Sequence, residues 1–138
     1  MFNILRKKTK IILDTNFLFI PGELGIDIFT EINRIITEPY ELCVMDSTIK
    51  EIEKLILTTG KQKQGLNAKL GLILIKQKNL KTINGSSKNY ADSSILEYAA
   101  KNPEKTIVAT QDKDLKRNLK KIPIRTITLR QKKYLEMG

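Results

Sequence analysis

The sequence predicts an α/β protein with an open parallel sheet, and two observations predict it. Short, continuous aliphatic runs alternate with longer stretches of helical periodicity, as expected of strands covered on both faces and joined by crossover helices. Four carboxylates, Asp14, Glu51, Asp92 and Asp112, stand where those runs end or where the helices begin. In such a sheet the carboxyl ends of the strands share one crevice, so acids far apart in the chain are expected to meet there.

The first strand is placed at roughly 10–14, an aliphatic run ending in Asp14. Ile26, Ile28, Phe29, Ile32, Ile35 and Ile36 then recur at helical spacing after Gly22 and Gly25, and Pro39 closes that helix. A second strand near 41–46 leads into Asp46-Ser47-Thr48, a capping cluster ahead of the apolar series Ile49, Ile52, Leu55 and Ile56. Gly60-Lys61-Gln62-Lys63-Gln64-Gly65 reads as a loop, and Leu66, Leu70, Ile73 and Leu74 as the apolar pattern of the next helix. A short strand near 80–84 and a Gly85-Ser86-Ser87 turn precede a helix from Ala91 to Ala100, which Asn102-Pro103 stops. Strands at 106–110 and 124–129 flank a basic helix at 113–121. No repeat or internal linker interrupts this order, so residues 1–138 read as one domain.

At 138 residues and 41% hydrophobic, the chain is large enough to bury about two-thirds of its unfolded surface without a covalent staple. Its single cysteine, Cys43, lies in the aliphatic strand Leu42-Cys43-Val44-Met45, which excludes an intrachain disulfide and points to a reducing, cytoplasmic setting. The longest apolar run, Leu70 to Ile75 interrupted by no charge, is far short of the roughly 20 residues that span a bilayer. Arg6-Lys7-Lys8 is followed by too few aliphatic residues for a signal peptide. No membrane association is expected.

Charge suggests the substrate. Lys and Arg total 25 against 15 Asp and Glu, a formal net charge of +10. The excess is confined to the two ends: residues 1–13 carry four basic and no acidic side chains, residues 112–138 nine basic and three acidic, while the interior balances twelve against twelve. A solvated Lys-rich surface is the plainer account of the charge alone. Joined to acids at a sheet crevice, the cationic ends fit a polyanion held by its phosphates, and nucleic acid fits better than a small anion.

Each acid also has a structural account. Asp14, Asp92 and Asp112 lie at helix starts, where a carboxylate caps free N–H groups for about 1 kcal/mol, and Glu51 is an ordinary acid in a first helical turn, with Glu53 nearby. Their coincidence on one sheet edge, with Asp114 as a fifth, favours chemistry. Convergent carboxylates repel unless neutralised, and the usual neutraliser is a hard divalent cation such as Mg²⁺ or Mn²⁺. Thr15, Asn16 and Thr110 are placed to orient these groups by hydrogen bonds, although Asn16 equally suits an Asx turn. Asn16 also excludes a haloacid-dehalogenase-type phosphatase, which needs a second Asp there. A receiver domain lacks its additional acid beside Asp14. With no histidine, imidazole acid–base cleavage is excluded.

Leu13-Asp14-Thr15-Asn16, Glu51-Ile52-Glu53-Lys54-Leu55, Tyr90-Ala91-Asp92 and Ile107-Val108-Ala109-Thr110-Gln111-Asp112-Lys113-Asp114-Leu115-Lys116-Arg117 together resemble the PIN domain nucleases in order and spacing, over nearly the whole chain. The resemblance implies a three-layer α/β/α sandwich around a central parallel sheet and Mg²⁺- or Mn²⁺-dependent cleavage of single-stranded RNA, leaving a 5′ phosphate and a 3′ hydroxyl. Position by position it makes Asp14, Glu51, Asp92 and Asp112 the acidic set and Thr110 its hydroxyl neighbour. The expected mechanism is hydrolysis, with Asp14, Asp92 and Asp112 holding one or two cations and Glu51 acting as ligand or adjacent base. Asn16, Thr110 and Asp114 would support them, and Lys113, Lys116, Arg117 and Lys120 would guide the RNA backbone.

Within the family, the stretch from Tyr90 through Lys121-Ile122-Pro123 looks most like the branch that trims precursor ribosomal RNA of the small subunit. It departs at Ser93, where that branch often has a second Asp, and in lacking a cysteine-rich zinc element. The other branch it resembles is the VapC toxins, which are held inactive by an antitoxin. The partners implied are therefore single-stranded RNA, such as precursor ribosomal RNA, with an antitoxin or a second copy of the chain as protein partners. A degenerate RNA-binding scaffold without turnover is the remaining class, against which the intact acidic set argues.

Overall fold

The computed structural model describes residues 8–85 and 90–138. Arg6, Lys7 and most of the Gly85-Ser86-Ser87 turn lie outside them. Among the described residues six strands form one sheet: β1 (Thr9–Leu13), β2 (Tyr40–Met45), β3 (Lys81–Ile83), β4 (Thr106–Ala109), β5 (Arg125–Arg130) and β6 (Tyr134–Met137), in the order β3-β2-β1-β4-β5-β6. Pairing is parallel from β3 to β5, and β6 joins antiparallel to β5. Helices α1 (Ile20–Leu24), α2 (Ile28–Ile35), α3 (Asp46–Thr59), α4 (Lys63–Gln77), α5 (Ala91–Lys101) and α6 (Lys113–Leu119) supply the outer layers. A 3-10 turn over Thr15–Phe19 leads from β1 into α1, and another over Pro103–Lys105 follows α5.

Alternation along the strands sorts the core into two layers. Ile11 and Leu13 of β1, with Ile107 and Ala109 of β4, bury against Phe17, Leu18, Ile28, Ile32, Ile52 and Ala68 on one face. Ile12 and Val108 point the other way and bury against Cys43, Met45, Ile95, Ala99, Leu115 and Leu119. The expected α/β/α layering is therefore present, with α5 and α6 on the second face.

Two elements differ from the sequence reading. The Leu66, Leu70, Ile73, Leu74 pattern does not mark the packed face of α4: Leu66 and Ile73 are 54% and 57% exposed, and the buried residues are Gly65, Ala68, Gly71 and Ile75. Small residues let the helix axis approach its neighbours closely. A Cβ on Gly65 would stand 2.4 Å from the Gly60 carbonyl oxygen, and one on Gly71 3.3 Å from that of Leu18. The expected loop 60–65 shrinks accordingly, because α4 already begins at Lys63. Strand β6 was not expected. It returns through Gln131 and Lys132, both at φ 54°, a left-handed pair that hairpins usually fill with Asn-Gly or Gly and that gives no such signal here.

Strand order fixes where the site lies. From β1 the chain moves outward to β2 and β3, then crosses back to β4 on the other side of β1. The β1/β4 boundary is therefore the switch point at which an open parallel sheet forms its crevice. Among the described residues no helix is long and apolar enough to cross a membrane.

Candidate active site

Asp14 follows β1 directly, and its backbone N–H donates to the Ala109 carbonyl at the end of β4, 3.0 Å away. That bond continues the β1–β4 pairing one step past both strands and sets the Asp14 side chain at the switch point, where it is 3% exposed. Its Oδ1 accepts from Thr15 N–H at 2.8 Å, capping the 3-10 turn, and its Oδ2 accepts from the Thr110 hydroxyl at 2.8 Å. The same Thr110 oxygen accepts from Asp112 N–H at 3.0 Å. Asp112 in turn caps α6 by accepting from Leu115 N–H at 2.9 Å. Capping is thus present at Asp14 and Asp112, and each cap leaves the carboxylate at the crevice edge.

Asp92, exposed in the first turn of α5, makes no cap bond. Glu51 sits one turn into α3, where it accepts from the Thr15 hydroxyl at 3.4 Å and from the Ala91 backbone N–H. The Thr15 hydroxyl also meets the fully buried Thr48 hydroxyl at 3.1 Å. Ser47 Oγ, one turn before Glu51 on α3, is buried and has no hydrogen-bond partner among the described residues. Asp46 does not cap α3 from outside, as the sequence suggested. It is the helix's first residue, and its Oδ1 accepts from Ser47 N–H at 2.9 Å and Gly85 N–H at 3.2 Å, tying the segment after β3 to the crevice.

The four acids lie within electrostatic reach of one another. Burial pushes the Asp14 carboxyl up to about 6, and the charges of Asp92 and Asp112 push the same way, against the bonds from Thr110 and Thr15. Desolvation also raises Glu51, with Asp92 adding to it, and raises Asp92, with Asp112 and then Asp114 adding. The remaining expected residues divide. Asn16 is exposed and makes no hydrogen bond to Asp14, whose oxygens are taken by Thr15 and Thr110. Asp114 stands outside the crevice in an exposed pair with Arg117 at 3.1 Å. Lys116 has a lowered pKa through desolvation and then through Lys113, Lys120 and Arg130, so its surroundings are cationic, although Arg130 itself pairs with Glu136 at 2.8 Å. Arg130 and Thr48, the partner of the expected Thr15, carried no signal in their local sequence.

The acids fit a hard divalent cation in a particular way. Their mutual repulsion and the buried, raised Asp14 would both be relieved by a positive charge. Among the described residues no three acid, histidine or cysteine groups gather as a closed cage.

The profile of the PIN like domain family matches residues 11–132. The chain belongs to the PIN domain family. Ribonuclease VapC4 of Methanocaldococcus jannaschii is 39% identical over 131 residues, covering 93% of this chain and 95% of that protein. The rRNA-processing protein fcf1 of Schizosaccharomyces pombe is 28% identical over 114 residues, covering 82% of this chain and 54% of that protein, so the chain spans about half of it. The structure of the PIN domain endonuclease Utp24 matches with a TM-score of 0.75 at 23% identity, over 94% of this chain and 90% of that one, a likeness of fold. Among PIN nucleases, the switch-point crevice of this chain carries Asp14, Thr110 and Asp112 in direct hydrogen-bonded contact.

Proposed function

We propose that this PIN domain protein is a Mg²⁺- or Mn²⁺-dependent endoribonuclease of single-stranded RNA that acts in ribosomal RNA processing. The observation that carries the reading is the buried Asp14 at the β1/β4 switch point, bonded to Thr110 and within the field of Asp92 and Asp112. Such an arrangement is costly as a mere helix cap and useful as half of a cation site.

Asp14, Asp92 and Asp112 would hold the cation. When bound, it supplies the charge that polarises a phosphodiester and lowers the pKa of an attacking water. Thr110 holds Asp14 by donating to Oδ2, and the Thr15 N–H holds Oδ1, so the carboxylate plane is fixed before substrate arrives. Glu51, held by Ala91 N–H and the Thr15 hydroxyl, faces the same crevice with a raised pKa, suited to accept a proton from water. Lys113, Lys116 and Lys120 would receive the phosphates flanking the cut. Arg117, paired with Asp114, contributes less.

The test is cleavage of a labelled precursor ribosomal RNA and an unrelated single strand of equal length, with Mn²⁺ and with EDTA. Defined cuts in the precursor that EDTA abolishes support the reading, and absence of cleavage with either metal overturns it. A VapC-type toxin function is the second reading, favoured by the 39% identity to ribonuclease VapC4. It predicts growth arrest on expression, relieved by a small cognate antitoxin.

A further inference from the structure

A concave site lies at the opposite end of the sheet from the acids. It has a volume of about 380 Å³ and is lined by Lys8, Lys10, Glu41, Tyr98, Asn102 and Lys105. Lys10, Glu41 and Lys105 stand at the amino-terminal ends of β1, β2 and β4, on or just before those strands, and Tyr98 and Asn102 close the cleft from the end of α5. Three lysines face one carboxylate. None of the three takes part in a salt bridge among the described residues, whereas Arg34, Lys101, Arg117, Arg125 and Arg130 all do. Unpaired cations around a cleft attract anions.

The other lining groups narrow the ligand. Tyr98 is half-buried, packed in part against the core layer of Ile95 and Ala99, and also lines the cleft wall. The Asn102 side-chain amide donates to the Tyr98 carbonyl at 3.0 Å, which leaves its oxygen as an acceptor. Glu41 is a second acceptor. Phosphate alone needs neither an aromatic surface nor acceptors, and the volume is that of a pocket for a larger molecule. Cations for a backbone, a ring for stacking and acceptors for a base edge are what a single-stranded nucleic acid recognises.

Helix α5 connects this cleft to the candidate active site. Asp92 in its first turn lies in the acid crevice, and Asn102 follows its last, about 15 Å away at ~1.5 Å per residue. Along β1, Lys10 and Asp14 are about 13 Å apart at ~3.3 Å per residue. The β1 line passes through the core and measures only how far apart the two sites are, so a strand joining them must run over the surface and span several nucleotides.

We propose that this cleft is a second RNA-binding site, which grips the single-stranded substrate several nucleotides from the cut through Lys8, Lys10, Lys105 and Tyr98. The inference rests on the ribonuclease reading for what the strand is, and on the cleft's own geometry for how it is held. The site sets affinity and minimum substrate length without touching the reacting phosphate.

The test uses the whole chain with Lys8→Gln, Lys10→Gln and Lys105→Gln together, and separately Tyr98→Leu, with folding checked by circular dichroism. Binding of a 20-nucleotide single strand is measured in EDTA across a salt series, beside a length ladder from three to twelve nucleotides. The triple variant is expected to reduce the slope of log affinity against log salt by about 2, at ~0.7 per lost contact. It should also remove the gain in affinity between three and eight nucleotides. Tyr98→Leu is expected to weaken binding about five-fold or more with the slope unchanged, because stacking is not ionic.

An unchanged slope and an unchanged length ladder overturn the proposal, as does displacement of the 20-mer by polyglutamate at equal charge as readily as by RNA. If the triple variant does not fold, the exposed pair Lys8→Gln with Lys105→Gln decides by the same measurements, with a slope change of about 1.4 expected. Wild-type protein that binds as described but never cleaves would fail the nuclease reading and leave the cleft standing. Cleavage with an indifferent triple variant would do the reverse.

Discussion

The Thr110 hydroxyl donates to Asp14 Oδ2 across 2.8 Å, joining the end of β4 to the end of β1. The same oxygen accepts from Asp112 N–H, so one side chain spaces two of the acids. Thr110 is fully buried, and removing its hydroxyl leaves both a carboxylate oxygen and a backbone N–H short of a partner. Thr110→Val is expected to destabilise the fold by about 1–3 kcal/mol and to raise Asp14 beyond about 6, since the lost bond was lowering it. Thr110→Ser should restore both. Chemical denaturation and a pH–rate profile check the pair of effects, and a Val variant with wild-type stability and profile would remove Thr110 from the site.

Asp112→Asn keeps the shape of the α6 cap and deletes its charge. Asparagine is as good a cap as aspartate, so the melting temperature should change little. Cleavage is expected to fall below detection, because a neutral amide is a poor ligand for a hard cation. Turnover at the wild-type rate by this variant would show that Asp112 only caps α6.

The Asp14 carboxyl makes a pH prediction for the metal-free protein. Its folded pKa of about 6 exceeds the unfolded 3.8, so the folded state binds the proton more tightly. Stability from this group is full below about 3.8, falls as pH rises through 6, and stays lower by about 3 kcal/mol above that. Asp92 and Glu51 shift in the same direction. In EDTA, Asp14→Asn should therefore raise the melting temperature at pH 8 and leave it nearly unchanged at pH 4. Millimolar Mn²⁺ should raise wild type at pH 8 and do less for the variant. Equal behaviour of the two proteins in all three conditions would contradict the burial of a charged Asp14.

Lys116 and Lys120 stand with Lys113 in cationic surroundings. Lys116→Ala with Lys120→Ala should weaken binding of unrelated single strands alike and lower the salt slope by about 1.4. The rate at saturating RNA should persist. Adding Arg117→Ala should change the slope less than either lysine, since its guanidinium is already paired with Asp114. Salt titration of binding in EDTA reads all three, and an equal contribution from Arg117 would mean that RNA displaces that pair.

The sequence by itself determined the fold class and where along it the acids fall. Aliphatic runs such as Ile11-Ile12-Leu13 and Ile107-Val108-Ala109 bury on both faces, which only a covered parallel strand requires, and the residues following them are the acids. Helix starts were legible for the same local reason, since Asp112 must satisfy free N–H groups of α6 wherever the helix lies. What only the tertiary structure decided depends on partners distant in the chain. Leu66 and Ile73 are as apolar as Leu72 and Leu74, and only the close approach of Gly65 and Gly71 to their neighbours selects which face of α4 is buried. The turn into β6 is held by pairing with β5, overriding the preference of Gln131 and Lys132 against positive φ. Asn16 and Asp114 looked as well placed as Thr15 and Thr110, because spacing cannot tell which neighbour turns inward. The Thr110 hydroxyl's bond to Asp14 exists only once β4 is laid beside β1, and the Thr15 hydroxyl turns inward only where α3 brings Thr48 and Glu51 to meet it.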